Sequence, residues 1–307
     1  MADGDDVPFN RNFSLKPGVV DEVRPLVRRI LCDNPGPFTF TGTVSYIIGR
    51  GKVAILDPGP ADEAHASALL DAVRGESVTH IIVTHTHRDH SPNAAALKAA
   101  TGALVIAEGP HRASRPRYES ERHNPESGAD REFRPDVTVA DGEVIEGAGW
   151  RLRAVATPGH TANHMAFAWE ERKFTFVGDH VMGWSTSIVA PPDGSMVDYM
   201  ASLERLARRD EDLYFSGHGP EIAQAPRYVW FLIRHRRARE ASILHRLGKG
   251  RADIGTLVRA IYIGIDPRLT AAAGYSVLAH LEDLVARGVV ATDGDPVIGG
   301  TYWLAGS

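Results

Sequence analysis

The stretch Val83 to Pro92, VTHTHRDHSP, sets three histidines and an aspartate into six consecutive residues at the end of an apolar run. Four polar groups crowded at the end of a buried strand cost desolvation unless something satisfies them, and a metal cation does so directly. On an extended strand residues two apart point the same way, so His85 and His87 converge on one point. Asp89 and His90 follow in the turn that leads into a helix, where they can aim at a second, nearby point. Further donors must come from other strand ends, each beside a residue that lets the backbone turn sharply. Three stretches fit: ATPGHTAN with His160, FVGDH with Asp179, and FSGHGP with His218. Each repeats the plan of an apolar run, a glycine and a donor. Together the seven nitrogen and oxygen donors are enough for two divalent metals, and a set without thiolate suits zinc, with iron or manganese as alternatives.

The elements that must present these groups can be read from hydrophobic pattern. Between about residues 38 and 220 the runs VSYIIG, VAILD, HIIVTH, LVIAE, LRAVAT, MAFAWE, FTFVGD and LYFSGHG alternate with helical stretches, as in a layered α/β core. Helices are expected over 61–73 and 93–100. The second has Ser91 as its N-cap, Pro92 at its first position and Gly102 as its stop. Residues 108–135 are aperiodic and rich in charge, Pro and Ser, which predicts a long mobile loop that could act as a lid. Beyond Pro220 one amphipathic helix is expected over 228–247, then helices near 254–262 and 274–287. A hairpin turning at Asp293-Gly294 closes the chain. Helix, helix, helix, hairpin reads as a small winged-helix module, dividing the chain into residues 1–222 and 223–307.

The motif H-x-H-x-D-H at His85, His87, Asp89 and His90, followed by His160, Asp179 and His218, resembles the metallo-β-lactamase-fold hydrolase superfamily. The resemblance implies a four-layer αββα sandwich. It also implies that His85, His87 and His160 hold one metal, that Asp89, His90 and His218 hold the other, and that Asp179 bridges the two with a hydroxide as the nucleophile. Asp89 and Asp179 are then the catalytic carboxylates, and Asp57 in ILDPG orients the metal loop from behind. NPGPFTFTGTVSYIIG, DYMASL and the carboxy-terminal module narrow the resemblance to the β-lactamase-like protein 2 branch. The chain departs from that branch at Thr43-Val44-Ser45-Tyr46, where Thr-Asn-Thr-Tyr is common. His87 stands where flavodiiron relatives place a glutamate, which favours hydrolysis over redox chemistry.

The expected reaction is hydrolysis of a small acyl compound, a thioester, ester or lactone. Tyr199, Thr186 and Ser187 are candidate substrate contacts. His164 and His180 neighbour ligands and could support them; His80, His111, His123, His235, His245 and His280 have no such setting. The alternative is an endoribonuclease acting on single-stranded RNA, with the Arg234–Arg239 run holding phosphates. Sequence-specific DNA binding is not expected, because the third helix of the module carries Glu282 and Asp283 instead of a row of arginines. The 307 residues carry a formal charge of −5 and a pI near 6.3, so bulk attraction to polyanions is excluded even though arginines crowd residues 227–259. Cys32 is the only cysteine, there is no signal-peptide pattern and no apolar run spans a membrane, so a cytoplasmic enzyme is expected, and the carboxy-terminal module could form a homodimer contact.

Overall fold

The computed structural model describes residues 7–121 and 128–306. Two sheets pack face to face. The first has seven strands in chain order: β1 (Asp21–Arg24), β2 (Val27–Leu31), β3 (Val44–Arg50), β4 (Lys52–Leu56), β5 (Ser77–Ile82), β6 (Leu104–Ala107) and β7 (Val137–Thr138). Strands β1 to β4 pair antiparallel, and β4 to β7 pair parallel. Parallel neighbours need a crossover. Here α1 (Glu63–Ala72) and α2 (Asn93–Thr101) supply two of them. The second sheet holds β8 (Val144–Gly147), β9 (Trp150–Ala156), β10 (Met165–Trp169), β11 (Phe174–Gly178), β12 (Leu213–Ser216) and β13 (Ile222–Ala223). Its β11 and β12 run parallel, joined through α3 (Met196–Leu206).

Alternation along the strands builds three layers of core. Tyr46, Ile48, Leu56 and Ile82 of the first sheet meet Leu152, Phe167, Phe176 and Phe215 of the second. The opposite face of the first sheet, with Ile47, Ile55 and Ile81, is covered by Leu69 of α1 and Leu97 of α2. The outer face of the second, with Val155, Ala166 and Val177, is covered by Leu203 of α3 and by Val229, Leu232 and Ile233 of α4 (Ala225–Leu247). The result is the αββα order expected from the sequence. Val44, the departure from the branch pattern, is buried in the inter-sheet core and its N–H donates to the Gly217 carbonyl at 2.8 Å, closing the two sheets together.

α4 serves two cores, since its far end contributes Ile243 and Leu247 to a separate cluster. That cluster is built from α5 (Ile254–Ile261), α6 (Thr270–Ala286) and a small sheet ordered β14 (Ala252–Asp253), β16 (Thr301–Leu304), β15 (Val290–Thr292). Asp253 caps α5, its side chain accepting from Thr256 N–H. The hairpin differs from expectation at its tip. Thr292 pairs with Tyr302, so residues 293–300 form an eight-residue loop in place of a two-residue turn at Asp293-Gly294. The Tyr302 hydroxyl donates to the Val297 carbonyl and holds that loop in place.

Two further expectations change. Ser91 does not cap α2, which begins after Pro92; its hydroxyl donates to Asp130 at 2.6 Å instead. Gly102 does stop the helix, at φ +73, where a side chain would be strained. The 108–135 stretch is tied down where it is described. Asp130 N–H donates to Thr86 O, Ser114 N–H to Pro192 O, and Arg115 pairs with Glu121 and with Glu282 of α6. A charged segment spends its polar groups on its neighbours here, which aperiodicity alone does not reveal. Residues 122–127 of the expected lid, His123 among them, lie outside the described residues.

Candidate metal centre

Strand direction gathers the donors. β4 and β5 are parallel, so Asp57 and the His85 loop emerge at the same end of the first sheet. β9 and β11 both pair antiparallel with β10, and β11 is parallel to β12; the turns carrying His160, Asp179 and His218 therefore leave the same end of the second. The two ends meet. His85, His87 and His160 form one donor cluster, and Asp89, His90, Asp179 and His218 form another, each with all its donor atoms within 4.8 Å of one another.

In the first cluster His87 Nδ1 lies 3.2 Å from His85 Nε2 and 3.1 Å from His160 Nε2. Tetrahedral coordination with metal–nitrogen bonds of about 2.0–2.1 Å puts ligand nitrogens roughly 3.3 Å apart, so the spacing fits a cation. In the second, His218 Nε2 lies 3.3 Å from His90 Nε2 and 3.2 Å from both Asp89 Oδ2 and Asp179 Oδ2. Asp179 Oδ2 is also 3.9 Å from His160 Nε2, so this one oxygen faces both clusters.

The opposite nitrogen of every ring is fixed. His160 Nδ1 donates to the Ile188 carbonyl at 2.6 Å and His218 Nδ1 to the Gly42 carbonyl at 3.1 Å. His90 Nδ1 donates to Asp57 Oδ2 at 3.1 Å and His87 Nε2 to Asp193 Oδ2 at 3.2 Å. The Thr84 hydroxyl donates to Asp57 Oδ2, and so accepts from His85 Nδ1 at 3.0 Å. With one proton committed outward, each neutral imidazole turns a lone pair inward. Five such lone pairs and two carboxylates pointing at one another repel unless positive charge, a shared proton or a metal cation, lies between them, and this is the arrangement that outer hydrogen-bond partners impose on metal ligands.

Charge follows the same division. Burial alone would lower His90, but Asp89 and Asp179 raise it well above the usual histidine range; His218, under the same opposing influences, is raised to about 9. Burial, then neighbouring histidines, push His85 well below that range and His160 to about 4. Burial works against ionisation of Asp179, yet His218 and His90 hold it well below the ordinary carboxylate range. The carboxylate-bearing cluster thus attracts positive charge, while in the three-histidine cluster His85 and His160 offer unprotonated nitrogen and His87, which burial alone would lower, is raised by Asp193.

Asp57 adopts φ +50, a conformation uncommon outside glycine, and is almost fully buried. Its carboxylate accepts from Thr84 N–H, from Thr84 Oγ1 and from His90, which fixes the start of the histidine loop. Gly159 has φ +134, and a Cβ there would come within 2.2 Å of the Tyr199 Cα. Only glycine lets the His160 turn pass α3 so closely.

The other expected residues divide. Ser187 is buried, its hydroxyl donating to the Asp179 and His180 carbonyls at 2.5 and 3.0 Å. Thr186 is half-buried and lines a pocket with Trp184. Tyr199 is fully buried; its phenol donates to the His180 carbonyl and its ring packs on His180 at 4.5 Å, so it braces the Asp179 turn in place of touching substrate. His164 and His180 are buried behind the centre, with the His164 ring 5.1 Å from that of His85. His111, expected to lie outside the site, has its Nδ1 3.0 Å from the Thr86 hydroxyl. Asp193, in the PPDG turn, escaped sequence reading because a turn aspartate carries no signal of its long-range partner; only the tertiary structure brings it to His87.

A model of the metallo-β-lactamase superfamily matches residues 38–218. The chain belongs to that superfamily. It is accordingly a metal-dependent hydrolase, and a model of the β-lactamase-associated winged-helix domain matches residues 254–303. An atrochrysone carboxyl ACP thioesterase of Claviceps purpurea is 31% identical over 76% of this chain and 68% of its own. A β-lactamase-like protein 2 homologue of Caenorhabditis elegans is 29% identical over 94% of this chain and 92% of its own. Among solved structures, a β-lactamase domain protein from Burkholderia ambifaria superposes with a TM-score of 0.78 at 20% identity, covering 95% of each chain. A metallo-β-lactamase family protein from Thermus thermophilus reaches 0.74 at 24% identity, covering 92% of this chain and all of its own. These two likenesses establish the fold. No helix among the described residues is long and apolar enough to cross a membrane.

Proposed function

We propose that the chain is a dinuclear hydrolase of acyl thioesters, with His85, His87 and His160 holding one cation, Asp89, His90 and His218 the other, and Asp179 shared. The observation that carries this reading is the position of Asp179 Oδ2 between two convergent donor clusters. The all-nitrogen-and-oxygen donor set favours zinc. When bound, such a pair supplies Lewis acidity toward the scissile carbonyl and acidifies a water molecule. Asp89, more accessible than its neighbours at 27% side-chain exposure, orients that water and takes up its proton. The water oxygen bonds to the carbonyl carbon, the carbon–sulfur bond breaks, and the sulfur leaves as a thiol once protonated. Net, one thioester and one water give one carboxylic acid and one thiol. No side-chain nucleophile is needed: Cys32 is buried and its thiol is pushed up to about 12 by burial and nearby carboxylates.

The thioesterase name of the Claviceps relative supports the choice of thioester over ester or lactone. The RNA alternative has less support. Within the arginine run Arg236 is buried, Arg239 is half-buried and donates to the Ile261 carbonyl, and Arg237 pairs with Glu204 on the surface, so the run is not one open row of arginines. The test is release of free thiol from a panel of acyl thioesters by zinc-loaded protein, with Asp179→Ala as the contamination control. Thiol release abolished in the variant is the expected result. RNA cleavage that depends on Asp179, with no thioester turnover, would overturn the proposal.

A further inference from the structure

Arg236 lies on α4 between the sandwich and the winged helix. Only 3% of it is exposed, yet among the described residues it forms no ion pair. Its Nη2 donates to the Ser187 carbonyl, and the guanidinium carbon sits 5.1 Å from the centre of the Tyr199 ring. One carbonyl accounts for one of five N–H donors. A buried cation without a counter-charge is strongly disfavoured unless something supplies the missing anion.

The same residue lines a pocket of about 100 Å³ between the 182–188 segment and the winged helix. Its walls include Phe38, Trp184, Ile188, Tyr262, Ile265 and Leu269, and Arg236 is its one charged residue. The pocket backs directly onto the metal centre, because Ile188 offers its carbonyl to His160 and Ser187 its hydroxyl to the Asp179 carbonyl.

We propose that this pocket receives a carboxylate at the far end of the substrate's acyl chain, bound by Arg236, so that the enzyme prefers ω-carboxyacyl thioesters to neutral acyl thioesters of equal length. The apolar part of the wall suits the methylene chain, the hydroxyls of Ser185, Thr186 and Ser276 line the rest, and a guanidinium binds a carboxylate through parallel N–H donors. A single cation in so small a pocket balances a monoanionic carboxylate better than a phosphate dianion. For turnover the proposal rests on the thioester reading above; for binding it does not.

The experiment pairs the two readouts on zinc-loaded full-length protein. Calorimetric titration with adipate, hexanoate and inorganic phosphate measures binding, and thiol release from adipoyl and hexanoyl thioesters measures the kcat/KM ratio. Adipate should bind more tightly than hexanoate or phosphate, and the adipoyl thioester should be preferred at least tenfold, mainly through KM. Arg236→Gln should bring the ratio near one, and Arg236→Lys should keep part of it. Because Arg236 also holds Ser187, Ala272→Phe, which fills the pocket from the winged-helix side, provides a second variant; it too should abolish adipate binding and the preference. Equal kcat/KM for the two thioesters in the unaltered enzyme, or phosphate binding without adipate binding, would overturn the pocket assignment while leaving thioester hydrolysis standing. Adipate binding lost in Ala272→Phe, with no thioester turned over, would support the pocket and overturn the thioester reading.

Discussion

Replacing Asp57 by Asn changes one atom and tests how the second donor cluster is held. The carboxylate now accepts three hydrogen bonds, from Thr84 N–H at 2.8 Å, Thr84 Oγ1 at 2.8 Å and His90 Nδ1 at 3.1 Å. Asn tolerates the φ of +50 that this position adopts, so the backbone should survive. Its oxygen can replace Oδ1 opposite the Thr84 amide, which leaves the NH2 group facing His90 Nδ1. Two donors then oppose each other. His90 escapes by moving its proton to Nε2, the nitrogen that must stay free to bind a cation. Loss of such an outer partner costs about 10–100-fold in metal affinity, or roughly 1.4–2.7 kcal/mol. A buried hydrogen bond to a charged group adds about 1.5–3 kcal/mol of lost folding stability. Calorimetric zinc titration of chelator-stripped protein should therefore show the second equivalent weakened and the first, held by His85, His87 and His160, nearly unchanged, with native circular dichroism. Two equivalents bound with unaltered affinities would refute the orienting role of Asp57, and equal loss of both would refute the division of the donors into two sites.

Asp193→Asn should do the converse, weakening the first equivalent about 10–100-fold through His87 while sparing the second, as read by the same titration. Gly159→Ala should lower stability by about 2 kcal/mol or more, measured by denaturant melting, because the clash is with Tyr199 backbone that cannot turn aside. His280 is buried with neither ring nitrogen bonded, and burial, then the positive charge of Arg236, lower it to about 3. Its folded-state pKa is below the unfolded value of about 6.5, so its stabilising contribution is intact above that pH and declines as pH falls toward 3. By pH 5 the loss is on the order of 2 kcal/mol. His280→Leu should flatten the fall in melting temperature between pH 7 and 5, and an unchanged slope would count against the assignment.

Much of this molecule was written in its local sequence. Strands of alternating or wholly apolar residues ended at His85, Asp179 and His218, each where the backbone had to turn, and the seven donors came together as the strand-end pattern required. Such features are legible because side-chain period and turn chemistry depend on near neighbours. The identity of the outer partners was not. Asp193 lies 106 residues from His87, and Arg115 lies 167 from Glu282; no local rule relates residues so far apart. Tyr199 carried a phenol that looked available for substrate until packing placed it against His180, and Ser91 looked like a helix cap until Asp130 took its hydroxyl. Arg236 read as one more arginine in a basic run, and only the docking of α4 between two cores left it buried without a counter-ion. Residue type and spacing thus determined which groups could bind metal. Tertiary packing decided which way each imidazole turns its lone pair and which polar groups are already satisfied, because those outcomes depend on partners that folding alone brings within hydrogen-bonding distance.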